Sequence, residues 1–271
     1  MSYELPPNDP RTMPTCGRFR TPRPWEEGGM HYGHTTVLAA TFLSDADAVS
    51  RMLPTPLQLP EEPLVTVYGV RCCDVAWLAG KDYNIGAVDV ACAFDGEVDR
   101  NVHGSFCVVM WENMTEPILG GRDHSGVPKI YADITDLQRT GDTCSTEVSH
   151  FGFPIFELSV SGLKPLDAKE RAEIETAKRN SVWMNLKHFP SVENDGADVS
   201  YICTYPSSGT CPEAWEGAGS VQFHRSTFEQ NPTQFDVINL LADLPILEMR
   251  TSRQVVFAPM KALDRKPQRL R

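Results

Sequence analysis

Between residues 64 and 111 the chain alternates short apolar runs with Gly, Asp and Asn turns, and this rhythm restricts its fold more than any other feature. Strand-like runs fall at 64–70, 75–78, 87–94 and 104–111, with a turn at Phe94-Asp95-Gly96. Runs this short, broken by turn formers, pair as strands. The same pattern predicts strands at 35–42, 156–160, 181–186, 199–204, 219–223 and 254–260. Helical signals are fewer. Residues 44–53 read as a short helix, capped by Ser44 and stopped by Pro54, and further helices are expected at 167–178 and 235–241. Many short strands and few helices predict a mainly β (α+β) fold, an antiparallel barrel or strongly curved sheet with peripheral helices. Residues 1–30, rich in Pro, Arg and Gly, read as an extended N-terminal arm. Nothing that looks like a linker or repeat interrupts the rest, so 31–271 is expected to be a single domain.

Charge narrows the partners. A formal net charge of -11 and a pI near 5.1 argue against nucleic acid or an anionic membrane. The eight cysteines include no C-x-x-C pair, and several sit in apolar runs such as Val90-Ala91-Cys92-Ala93-Phe94. They read as small buried hydrophobes of a reducing compartment. No secretory signal and no run of transmembrane length is seen, so a cytoplasmic, soluble protein is expected. His31 and His34 have no third ligand cluster beside them, and neither a P-loop nor a G-x-G-x-x-G is present, so neither metal nor cofactor is expected.

The chemistry concentrates at Gly121-Arg122-Asp123-His124-Ser125-Gly126-Val127-Pro128-Lys129-Ile130. A lysine set between a proline and Ile130-Tyr131-Ala132 is poorly placed as a solvated charge. A lone lysine of this kind usually ends a strand and sends its head to water. If it is buried instead, desolvation disfavours the ammonium, and a neutral amine attacks carbonyl carbon to form an imine. Asp123-His124-Ser125 lists triad residue types, but triads assemble in space and not in sequence, so these read as a polar turn.

Several segments line up in one order. A short helix ends in Leu53-Pro54-Thr55-Pro56-Leu57. Then come Tyr83-Asn84-Ile85-Gly86, Phe94-Asp95-Gly96, Gly121-Arg122-Asp123, Pro128-Lys129, Glu213-Ala214-Trp215-Glu216-Gly217 and Ala242-Asp243-Leu244-Pro245. In this order the chain resembles the acetoacetate decarboxylase superfamily over about residues 30–265. The resemblance implies a cone-like antiparallel β-barrel around an apolar pocket, a homo-oligomer, and Lys129 as the Schiff-base lysine. It also implies that Arg122 and Asp123 brace the lysine loop.

The departures are as informative. The family's second lysine is replaced by Ile130, and its pocket glutamates fall on Ile85 and Tyr68, while an arginine falls near Thr35. His34, Tyr83, Val127, Ile130, Trp111 and Phe223 are further candidates for the pocket wall. Without the neighbouring cation, desolvation alone must neutralise the amine. Moving a lysine from about 10.4 to about 7 takes roughly 4–5 kcal/mol. A pocket stripped of charge suits a larger carbonyl compound of polyketide-like, specialised metabolism better than acetoacetate. Two functions are therefore expected: a Schiff-base lyase acting by decarboxylation, aldol chemistry or dehydration and cyclisation, or a protein that binds or shapes a ligand without an imine.

Overall fold

The computed structural model describes residues 24–271, and the arm expected over 1–30 lies largely outside the described residues. The chain runs β1 Met30–Leu43, α1 Ala46–Ser50, β2 Leu64–Val75, β3 Lys81–Phe94, β4 Val102–Glu112, α2 Thr115–Ser125, β5 Lys129–Tyr131, β6 Asp133–Ile134 and β7 Gln138–Thr140. It continues through β8 Thr143–His150, β9 Phe153–Pro165, α3 Ala168–Asn180, β10 Trp183–Pro190, β11 Ala197–Thr204, β12 Ser207–Gly209, β13 Glu213–Phe223, α4 Phe235–Ala242, β14 Glu248–Phe257 and β15 Met260–Ala262.

These strands form one large sheet ordered β11-β10-β4-β3-β2-β1-β14-β13-β9-β8-β6, with β5, β7, β12 and β15 paired at its margins. The sheet curves without closing. Its pairings are antiparallel except that β4 runs parallel to β10 along one stretch and to β5 along another.

Strand alternation gives β1 to β3 two inward faces. One face carries Leu38, Ala40, Phe42, Val65, Val67, Val88 and Val90, all fully buried. They pack with Ile155, Phe156 and Leu158 of β9 and with Ile238 and Leu241 of α4 in the main core. Trp111 belongs to this core, where its Nε1 donates to Gln234 Oε1 at 2.7 Å. Phe223 packs against the same core. The opposite face carries Thr35, Val37, Tyr68, Val70, Tyr83, Ile85 and Asp89, which border a cavity.

Three local expectations are corrected. Residues 76–78 form a 3-10 turn in place of a strand, followed by Ala79 with φ +54° and Gly80 with φ +80°. That pair reverses the chain into β3. Helix α1 is capped by Asp45, whose side chain accepts from Ala48 N–H, while buried Ser44 donates to the Pro245 carbonyl. Asp123-His124-Ser125 form the last turn of α2 and not a loop.

Candidate active site

Lys129 opens β5, directly opposite Met110 of β4. Its backbone is held from both sides. Met110 N–H donates to the Pro128 carbonyl at 3.1 Å, and Arg122 Nη1 donates to the Lys129 carbonyl at 2.9 Å. Arg122 thus holds the segment by a main-chain carbonyl, with Asp123 beside it on α2. Gly126, with φ +68°, ends α2 in the left-handed conformation and turns the chain into β5. The lysine side chain then passes across α2. A Cβ on Gly121 would stand 2.7 Å from Nζ and closer still to Cδ and Cε, so glycine keeps this slot open.

Nζ donates to the Pro117 carbonyl at 3.0 Å and lies 2.7 Å from Oε1 of Glu112. The lysine side chain is 11% exposed and the glutamate 0%. Burial raises the Glu112 carboxyl above its ordinary range, and the nearby Lys129 charge opposes that rise. Oε2 of Glu112 has no hydrogen-bond partner among the described residues. The expectation that desolvation acts on Lys129 without a charged partner is therefore overturned. The reason lies in the ladder: Ile85, which stands where the family's glutamate falls, pairs directly with Glu112 across the β3–β4 register. The carboxylate sits one strand over at the same level.

Beside Lys129 opens a cavity of about 360 Å³. Tyr32, Tyr83 and Tyr205 surround its lysine end, with the Tyr32 and Tyr83 hydroxyls 3.3 Å apart. Burial raises all three phenols well above their ordinary value, so they stay neutral hydroxyls. Val37, Val70 and Ile85 share one rung of the ladder with Glu112, and Ala39 and Met110 stand on the next apolar-lined rung towards Asp89. At the other end lies Asp89. Tyr68 Oη donates to Asp89 Oδ1 at 3.1 Å, and Trp183 Nε1 donates to Oδ2 at 2.8 Å. Burial pushes the Asp89 carboxyl up to about 7, against the bonds from Trp183, Tyr68 and Cys107 that favour the carboxylate. Half-buried Lys178 of α3 borders the same space, and burial lowers its ammonium against the pull of Asp89.

Of the positions expected in the wall, Lys129, Tyr83, Ile85, Tyr68, Thr35 and Val127 line this cavity. His34 and Ile130 do not. Ile130 follows Lys129 on β5, so alternation turns it to the opposite face, where it packs against the main core. His34 stands one residue before Thr35 on β1. Trp111 and Phe223 are core residues, as described above. Sequence reasoning missed Glu112, Asp89, Tyr32, Tyr205, Trp183 and Lys178. Two of these carried a signal: Glu112 closes the run Val108-Val109-Met110-Trp111, and Asp89 interrupts Ala87-Val88-Val90-Ala91. A charge within an apolar strand points to a buried, partnered carboxyl. Among the described residues no group of three His, Cys, Asp or Glu stands together as a metal-binding cluster. Nor is any helix among them long and apolar enough to cross a membrane.

A curved sheet that wraps a mostly apolar pocket, with an amine and a buried carboxylate in contact at one end, is a small-molecule site on a β scaffold. By sequence the chain belongs to the acetoacetate decarboxylase family, whose profile matches residues 12–257. It is 26% identical over 221 residues to an acetoacetate decarboxylase of Burkholderia ambifaria (strain MC40-6), covering 81% of this chain and 80% of that one. It is 24% identical over 229 residues to an acetoacetate decarboxylase of Chromobacterium violaceum, covering 84% of each. Its fold is similar to a solved acetoacetate decarboxylase (TM-score 0.72, 20% identity, 90% and 89% of the two chains). It is also similar to the enduracididine biosynthesis enzyme MppR in complex with pyruvate (TM-score 0.65, 18% identity, 90% of each).

Proposed function

We propose that the protein is a lyase that forms an imine between Lys129 and a carbonyl substrate. The contact between Lys129 Nζ and Glu112 carries this reading, because it supplies both a nucleophile and a place for its proton. Glu112, whose carboxyl burial already disposes to protonation, takes a proton from the ammonium. The neutral amine adds to the carbonyl carbon. The proton on Glu112 then goes to the leaving hydroxyl, water departs, and a protonated imine remains. That imine accepts the electron pair of an adjacent C–C or C–H bond and becomes an enamine. Protonation of the enamine carbon and hydrolysis of the imine release product and restore the amine. Decarboxylation, aldol cleavage, and dehydration or cyclisation all pass through this intermediate.

A cavity of about 360 Å³ lies within the roughly 300–1,000 Å³ range that encloses drug-sized ligands. Among the described residues its wall holds no arginine. The volume favours a bulky carbonyl compound of specialised, polyketide-like metabolism over a small keto acid. Incubation with pyruvate and borohydride is expected to add one reduced adduct to Lys129, found by peptide mass mapping, and none in Lys129→Ala. An adduct elsewhere, or none with any of a panel of ketones, would refute the imine.

A second reading rests on the same contact. A carboxylate this close favours the ammonium form of an amine. Lys129 would then act as a charged hydrogen-bond donor to a ligand held without covalent chemistry. Retained ligand affinity with no borohydride adduct favours that reading. Self-association belongs to the proposal as well: Tyr131, Phe151 and Phe153 are exposed large hydrophobics, and the His150 ring stacks near both Tyr131 and Phe151. Light scattering is expected to give a mass that is a multiple of 30.2 kDa, and a monomer at that mass refutes it.

A further inference from the structure

The cavity has two polar ends and an apolar waist, and the strand register fixes their order. Along β3, Ile85 pairs with Glu112, while Asp89 pairs with Cys107 on one side and Thr66 on the other. Ile85 and Asp89 are four residues apart, a separation of about 13 Å in a strand. A ligand that reaches both ends must therefore be elongated, with an apolar body between them.

The chemistry at the far end is set by where the donors point. Tyr68 Oη and Trp183 Nε1 both give their hydrogens to the Asp89 carboxylate, and Cys107 bonds it as well. Each carboxylate oxygen keeps a second acceptor site. Asp89 itself presents acceptor sites to the cavity, so a group that bonds it directly must donate; Ser105, Lys178 and Ser181 supply the donors elsewhere on the same wall. An ammonium would meet the positive charge of Lys178, which borders the same space. A neutral hydroxyl meets no such penalty.

We infer that Asp89, held by Tyr68 and Trp183, is a recognition point for a distal hydroxyl, so that the compound taken up is an elongated ketone or aldehyde with an apolar or aromatic body and a hydroxyl at the end away from its carbonyl. This substrate class rests on Lys129 receiving the carbonyl; the hydroxyl site itself stands on the Asp89 geometry. Ionisation of Asp89 near pH 7 makes it a full acceptor at pH 8.

The test uses paired ω-aryl methyl ketones, with and without a para hydroxyl, at two-carbon and four-carbon spacers. Affinities are measured by calorimetry at pH 8 on the full chain. At the better spacer the hydroxylated ketone is expected to bind about tenfold more tightly than its partner. In Asp89→Asn that ratio is expected to fall towards one. Tyr68→Phe, which leaves Asp89 in place with a freed acceptor site, is expected to keep the preference. Equal affinities at both spacers in the wild type overturn the inference whether or not the variants fold, and so does a ratio unchanged in Asp89→Asn. Pyruvate is too short to reach Asp89 and reads Lys129 alone. Absence of a borohydride adduct with pyruvate and with every ketone of the panel counts against the imine and leaves the affinity comparison standing, and the same comparison can be run in Lys129→Ala.

Discussion

A methyl group on residue 121 would overlap the lysine side chain that crosses α2, so Gly121→Ala forces Lys129 out of its slot. Alanine is the better helix former by up to about 1 kcal/mol, so the helix itself loses nothing by the change. Displacement of a reacting group by about 1 Å can cost about 100-fold in rate. Gly121→Ala is therefore expected to slow borohydride trapping of pyruvate at Lys129 by about that factor while the melting temperature stays near that of the wild type. Trapping at the wild-type rate would show that the slot is not required. Lys129 is singled out by the ordered family motifs around it, whereas its own segment alone favours a lysine at a strand end with its head in water. Glu112 and Asp89 were harder to place. Their significance depends on which strand lies beside them, and cross-strand register is written in no single segment.

At the scale of elements, those with a strong local signal were read correctly. Helix α3 is expected from its Glu and Lys spacing, and it forms with a full capping box between Asp167 and Glu170. Helix α4 and most strands are anticipated as well, though β1, β2, β3 and β9 run well beyond the expected bounds. Those extensions include polar or charged positions such as Arg71, Lys81 and Lys164, which propensity alone assigns to loops; ladder hydrogen bonds hold them in the sheet. Helix α2 escaped notice because Pro117, Gly120 and Gly121 erase both its propensity and its apolar stripe. The features that hid it serve the site. Pro117 presents the carbonyl that takes a bond from Nζ, and Gly121 makes the passage for the side chain.

For the molecule as a whole, Asp89 links the cavity to stability. Burial raises its carboxyl from an ordinary value near 3.9 to about 7 in the folded chain. Between those values the folded state holds more of this proton than the unfolded state, so stability falls as pH rises from about 4 to about 7 and is flat above that. The full effect is about 4 kcal/mol. Asp89→Asn removes it. Urea titrations at pH 5 and pH 8 should show the wild type losing more stability across that interval than the variant; parallel losses would mean that Asp89 titrates normally. The rise to about 7 is already net of Trp183, Tyr68, Cys107 and Lys178, each of which favours the carboxylate in the folded state. One further consequence follows from how the cavity is assembled. The amine and its carboxylate ride on β5 and β4, adjoining strands of a single ladder, whereas Lys178, Ser181, Trp183, Tyr205 and Ser207 come from a later stretch of chain. The Lys129–Glu112 pair and much of the cavity wall thus come from separate stretches of chain, so substitutions in residues 178–207 can reshape what the cavity holds while that pair stays as it is.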